Sequence, residues 1–275
     1  MDIQESFRSI GNDLSAGKID EVRRKVQEIS DSTDDPFVLL QCVSLLKVVK
    51  EEDMMRGLVT KIMANVDEEE SRRVEIAGAL KGLEYPFQAY EILESMEPSD
   101  SIRRLRVQCL MDMDEFESAL EENNAIKEMQ VIDGIHNAEI LSALGEHADA
   151  ISAVKLLESG HPKNYDVMNC YVAVHMMAGE EKEAVRYARH RLKDKTADGN
   201  AILAYAMRIM GNDKAAAGYA TRAIKMDPKH IGAMETLGIC LARKGEYEKA
   251  RIVAGAINEV SPGHSAAMEI LRYCD

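Results

Sequence analysis

The chain has no tryptophan, four phenylalanines and six prolines in 275 residues, and aromatic residues make up 5% of it. A core without large rings has to be closed by small and flexible apolar side chains, and 16 methionines together with frequent alanines supply them. Such a core suits helices packed at short range. Strand-length alternation of β-branched residues is absent, so no strands are expected. No apolar run reaches the ~18 residues a membrane-spanning helix requires. Residues 38–49 and 167–179 come nearest, and they are broken by Gln41 and Lys47 and by Asn169 and His175. The opening Met1-Asp2-Ile3-Gln4-Glu5 lacks the basic and apolar regions of a secretory signal, so a cytoplasmic protein is expected.

The motifs of common catalytic sites are missing as well. There is no HExxH, no P-loop, no GxGxxG behind a strand and no GxSxG. The five cysteines, at 42, 109, 170, 240 and 274, form no CxxC and have no histidine at zinc-ligand spacing. The first four fall on expected first helices of hairpins, which reads as buried free thiols. All seven histidines follow residue 130. His147, His161, His230 and His264 fall in turns or at helix ends and are expected to be solvated. His136 and His175 fall on first helices, where a hydrogen-bonded core imidazole is expected at 175. Carboxylate pairs such as Glu121-Glu122 and Glu180-Glu181 sit on polar helix faces, with nothing to raise a pKa. We assign no catalytic residue, no metal and no cofactor, and the chain reads as a non-enzyme.

Charge is plentiful but lopsided. The formal net charge is −14, and residues 1–130 carry 16 Lys+Arg against 29 Asp+Glu, whereas residues 131–275 carry 18 against 19. Phosphate backbones and anionic lipid repel such a chain, which excludes nucleic acid and membrane as its main ligands. The acidic half is either a soluble exterior or a surface that attracts a basic partner. The densest run, Asp67-Glu68-Glu69-Glu70, reads as the first turn of a helix, where carboxylates favour the dipole.

What the chain does have is a period. Gly211, Ala216, Leu203 and Pro228 recur 34 positions later as Gly245, Ala250, Leu237 and Pro262. A fixed period of this length means a stack of helical hairpins. Each hairpin is marked by a turn residue followed five places later by a small or apolar one: Gly179…Ala184, Gly145…Ala150, Asp114…Ala119, Glu84…Ala89, Glu52…Gly57 and Gly17…Val22. Eight hairpins follow, starting near residues 3, 38, 70, 100, 131, 165, 197 and 231. Their spacings of 30 to 35 residues require trimmed loops or a shortened helix in the middle. Pro162, Pro228 and Pro262 stand just past second helices, Pro36 and Pro86 suit first turns, and Pro98 precedes a cap-like Ser99-Asp100. Residues 265–273 read as a short helix covering the last repeat.

These residues resemble the tetratricopeptide repeat (TPR). The pattern W-x2-L-G-x2-Y…A-x3-F…P maps onto residues 231–262 as Met234, Leu237, Gly238, Leu241, Ala250, Ala254 and Pro262. Onto residues 197–228 it maps as Asn200, Leu203, Ala204, Met207, Ala216, Ala220 and Pro228. The bulky aromatics of the pattern are replaced by Met, Leu, Asn or Ala. The resemblance implies an all-α fold, an α-solenoid (superhelix) of about eight antiparallel TPR-like repeats with a C-terminal capping helix. The organisation expected is one continuous solenoid: divergent hairpins over 1–130, well-matched repeats over 131–264 and the cap over 265–275. Small residues at 204, 216, 238 and 250 would let the two helices of a hairpin approach closely.

The resemblance also implies a role. In proteins of this kind first helices line an inner wall that holds an extended peptide or a partner helix. Places on that wall give Arg104, Gln108, Asn169, Met176, Tyr205, Arg208, Glu235 and Arg243 as candidate partner-binding residues, with Glu139, Asp166, Met177 and Asp198 among their neighbours. The stretch from Asn169 to Glu235 combines an amide, a thioether, a ring and both charges, the mixture that backbone recognition with apolar anchors needs. The Lys/Asn set that resembles a clamp for acidic chaperone tails is absent. The expected function is a scaffold or adaptor binding a protein or peptide in the concave groove. The alternative is a structural subunit that uses one face or the N-terminal end to oligomerise or join a multi-protein assembly, a reading motivated by the apolar segment 38–49, which is expected to leave hydrophobic surface exposed; monomer and homodimer both remain open. A pentatricopeptide-like RNA binder is disfavoured by the net charge.

Overall fold

Among the described residues, each turn from a first helix to the next helix is built by one residue in left-handed backbone conformation, and those residues set the local register. A computed structural model describes residues 3–66, 69–261 and 263–274. Gly17, Lys50, Glu84, Asp114, Gly145, Gly179, Gly211 and Gly245 all have φ between 59° and 81°. Each closes a first helix: the following N–H reaches back to a carbonyl five residues earlier, as Glu180 to His175 at 2.8 Å and Glu246 to Leu241 at 2.9 Å.

Among the described residues the regular structure is helical. First helices are α1 (Ile3–Ser15), α3 (Pro36–Val48), α5 (Glu70–Gly82), α7 (Asp100–Asp112), α9 (Val131–Ala143), α11 (Tyr165–Met177), α13 (Ala197–Ile209) and α15 (Ile231–Arg243). Second helices are α2 (Ile19–Ser32), α4 (Glu52–Ala64), α6 (Pro86–Glu94), α8 (Phe116–Asn124), α10 (His147–Gly160), α12 (Glu181–Arg191), α14 (Asp213–Met226) and α16 (Tyr247–Val260), and α17 (Ser265–Arg272) ends the chain. The short spacings in the middle come from second helices: α6 and α8 have 9 residues where α14 and α16 have 14.

Helix starts follow local chemistry. Asp35 accepts a hydrogen bond from Phe37 N with Pro36 in the first turn, and Ser99, Asn164 and Thr196 cap α7, α11 and α13 in the same way. Glu69 immediately precedes α5; Asp67 and Glu68 of the acidic run, and the repeat proline Pro262, lie outside the described residues. In the second hairpin the turn signal expected at Glu52…Gly57 is two places off. Lys50 takes the left-handed position, Met55 the buried place five residues on, and Gly57 is exposed, so the hairpin begins at Pro36 and not at 38. The remaining register residues, Val22, Ala89, Ala119, Ala150, Ala184, Ala216 and Ala250, are all fully buried.

The chain divides into two compact units, Met1–Glu115 and Phe116–Asp275. In the first, Ile10, Val22, Val26, Ile29, Leu39, Val43, Leu46, Ile62, Ile76, Leu80 and Leu93 form one continuous core. Residues 38–49, expected to leave apolar surface exposed, contribute five buried side chains to it, and Val48 is the exposed exception at 70%. In the second unit, first helices pack side by side in the order α9, α11, α13, α15, α17, while each of α10, α12 and α14 sits between two of them. This is an α-solenoid, closed by α17: Ala266, Ala267 and Ile270 are buried against Ile239, Ala250, Ala254 and Ile257. Gly238 does its work here. A Cβ at that position would lie 2.3 Å from Ile270 Cδ1, so the small residue admits the capping helix, not the second helix of its own hairpin as expected.

Cys42, Cys109, Cys170 and Cys240 lie on first helices, buried and unpaired, and Cys274 is buried as well. Burial pushes the thiols of Cys42, Cys109 and Cys240 up to about 11, far from the thiolate form at neutral pH.

Candidate functional site

The wall of the second unit is made by residues that are polar but only partly hydrated. Asn169 and Met176 come from α11, Tyr205 and Arg208 from α13, Glu235 and Arg243 from α15. Met176 and Tyr205 pack on one core cluster with Val172, Ile202 and Leu203 beneath them. Arg208 lies over the Tyr205 ring, 5.2 Å from its centroid, and its Nη2 stands 3.7 Å from Glu235 Oε1. Ring, guanidinium and carboxylate thus form one connected row across two helices. Burial raises the Tyr205 phenol to about 12 and lifts the Glu235 carboxyl above its ordinary range, with Arg208 opposing both shifts.

Two atoms of this wall lack partners. Asn169 Oδ1 and Arg208 Nε are buried without a hydrogen bond, although both can form one. Arg243 is occupied elsewhere. It reaches Asp213 Oδ1 and Tyr273 OH, each at 3.4 Å, and stacks on the Tyr273 ring, which ties α15 to the start of α14 and to the residue after α17. Arg104 and Gln108 lie half-buried on α7, within the first unit.

Other wall residues carry more of the electrostatics than the candidates chosen from sequence. Glu139 on α9 is half-buried, and burial, helped by Asp166, raises its carboxyl to about 7. Tyr165, at the start of α11, spans to α15. Its hydroxyl occupies the space a Cβ at Gly232 would need, 2.3 Å away, and its ring meets His230 edge-on at 4.6 Å. Burial drives its phenol far above the ordinary value. His230, expected to be solvated, is buried at 8% exposure because it serves three neighbours at once. Its Nδ1 accepts from Ala233 N at 3.2 Å, its Nε2 stands 3.1 Å from Asp198 Oδ1, and its face takes the Tyr165 edge. His264 caps α17 through Ala266 N. His175 is a core imidazole, fully buried, bonded through Nδ1 to Glu180 Oε2 at 2.8 Å and packed on Tyr171.

Among the described residues no three His, Cys, Asp or Glu side chains are placed to hold a metal ion, and no helix is long and apolar enough to cross a membrane.

No protein-family model matches the sequence, and no curated protein matches it. Solved structures do. A tetratricopeptide repeat protein from Parabacteroides merdae superposes with a TM-score of 0.50 at 12% identity, covering 87% of this chain and 98% of that one. A thermophilic TPR protein of Thermus thermophilus gives 0.40 at 14% identity over 74% and 97%. YrrB, described as a TPR protein with an unusual peptide-binding site, gives 0.31 at 22% identity over 58% and 90%. The first of these likenesses, together with the paired helices and their left-handed turns, defines the class: the chain has the tetratricopeptide-repeat fold.

Proposed function

We propose that the chain is a protein-interaction scaffold, and that the first-helix wall of its second unit binds a segment of a partner protein. The observation that carries this reading is the row Tyr205–Arg208–Glu235 with the buried, unpartnered Asn169 Oδ1 and Arg208 Nε beside it. Unpartnered buried atoms occur elsewhere too, as at Arg73 and Arg191, but these two lie beside the row, and a peptide backbone offers both the donor and the acceptor that they lack. Met176 and the Tyr205 ring supply apolar contact for a ligand side chain. We read the chain as a binding module and not an enzyme. Because the carboxyl of Glu139 titrates at about 7, binding is expected to vary with pH around neutrality.

The test begins with peptides selected from a random display library against the full chain, their affinities then measured by calorimetry. Tyr205→Ala and Arg208→Ala should each weaken binding by about ten-fold or more, equivalent to about 1.4 kcal/mol, with the helical circular dichroism unchanged. Affinities untouched by both substitutions would reject the assignment. Self-assembly through residues 38–49 loses its motive, since that segment is largely internal.

A further inference from the structure

The exposed face of α12 carries a row of four cations. Lys182, Arg186, Arg189 and Lys193 stand at i, i+4, i+7 and i+11, which places all four on one side of a helix over about 16 Å of its axis. Lys193 belongs to the 3-10 turn Leu192–Asp194 that continues α12. The buried residues of α12, Ala184 and Ala188, fall on the opposite side. The row borders an open depression of about 620 Å³, lined also by Glu181, Val185, His190 and Met210, and Met210 is 48% exposed.

Some exposed helix cations of this protein are paired with a carboxylate three or four residues away, as in Arg23–Asp20, Arg24–Glu28, Arg56–Asp53, Lys249–Glu246, Arg251–Glu248 and Arg272–Glu269, and among the described residues others, such as Arg8, Lys155, Lys214 and Lys225, are not. On α12 Glu183 holds Arg186, but Lys182, Arg189 and Lys193 have no anionic partner among the described residues. Their cationic neighbours at three- and four-residue spacing repel them. A ligand that brought carboxylates to the row would remove that repulsion.

We propose that this face docks an acidic, amphipathic segment of a partner protein, its carboxylates along the row and one aliphatic side chain against Val185 and Met210. Charge complementarity selects the sign, and the apolar floor selects protein over phosphate polymers. A nucleic acid carries its charge along its whole length and would meet the field of a chain with net charge −14 beyond the row, whereas a short segment can confine its carboxylates to the row and keep clear of Glu181. The docking face lies on a second helix, so it stands or falls independently of the first-helix wall.

The probe is a synthetic helical peptide of about five turns with glutamates at i, i+4, i+7 and i+11 and one leucine beside them. Its binding to the full chain is read by fluorescence anisotropy at low salt, alongside a DNA duplex and phosphatidylserine vesicles. The proposal expects peptide binding that falls at least about ten-fold in Lys182→Glu/Arg189→Glu/Lys193→Glu, falls less in Met210→Ser, weakens with added salt and survives Tyr205→Ala/Arg208→Ala. The reversed residues are exposed, and circular dichroism checks that the fold is retained. No peptide binding at low salt, binding indifferent to the charge reversal, or tighter binding of duplex or vesicles than of peptide would each overturn it.

Discussion

Glu139 shows how one side chain can report on a site. Its carboxyl ionises near 4.5 when exposed and near 7 on the wall, because burial disfavours the charged form and Asp166 adds repulsion. The folded chain therefore holds this proton more tightly than the unfolded one. The contribution to stability is complete below about 4.5, is lost as pH rises toward 7 and stays lost above. Glu139→Gln removes the ionisation, so it should stabilise the second unit by about 1–2 kcal/mol at pH 8, discounted for water in the groove, and leave stability at pH 4 nearly unchanged. Urea unfolding at the two pH values checks the sign. Gly238 gives a second prediction at this scale. Gly238→Ala should cost about 1–3 kcal/mol by driving a methyl into Ile270, and Ile270→Val in the same chain should recover part of the loss.

At the scale of the element, helix boundaries were readable because turns and caps are local chemistry. Gly145, Gly179, Gly211 and Gly245 mark the ends of first helices, and Pro36, Ser99 and the five-residue step to a buried alanine mark starts and register. The second hairpin slipped by two residues because Lys50 occupies a position that glycine adopts without steric penalty. Lys50→Gly should accordingly stabilise the first unit by about 0.5–1 kcal/mol, seen as a higher thermal midpoint of unfolding, and Gly179→Ala should lose about as much. Position counting grouped Tyr205, Arg208 and Glu235, and these three side chains do adjoin one another. Tyr165 escaped because its partners, His230 and Gly232, lie two first helices away along the chain, and no local pattern signals a ring that spans that distance. The same reason hid the burial of His230.

At the scale of the molecule, repetition explains why so few large side chains suffice. Within each unit a hairpin is thin, and its apolar side is covered by its neighbour instead of by bulk of its own. The last repeat has no successor, and α17 takes that place with Ala266, Ala267 and Ile270. Truncation after Ser261 should expose Ile239, Ala250 and Ile257, lower the unfolding midpoint of the second unit and promote aggregation, which light scattering during a thermal ramp would detect. Net charge belongs to this scale too. It argues against polyanionic ligands for the chain as a whole, while the row on α12 departs from it locally.

The most direct measurement of the central claim is photo-crosslinking of a display-selected peptide to the full chain, with the attachment sites read by mass spectrometry. Binding on the first-helix wall predicts adducts on α11, α13 and α15 near Met176, Tyr205 and Glu235. Adducts confined to the second helices α10, α12, α14 and α16 for peptides that still bind the Lys182→Glu/Arg189→Glu/Lys193→Glu variant would contradict it.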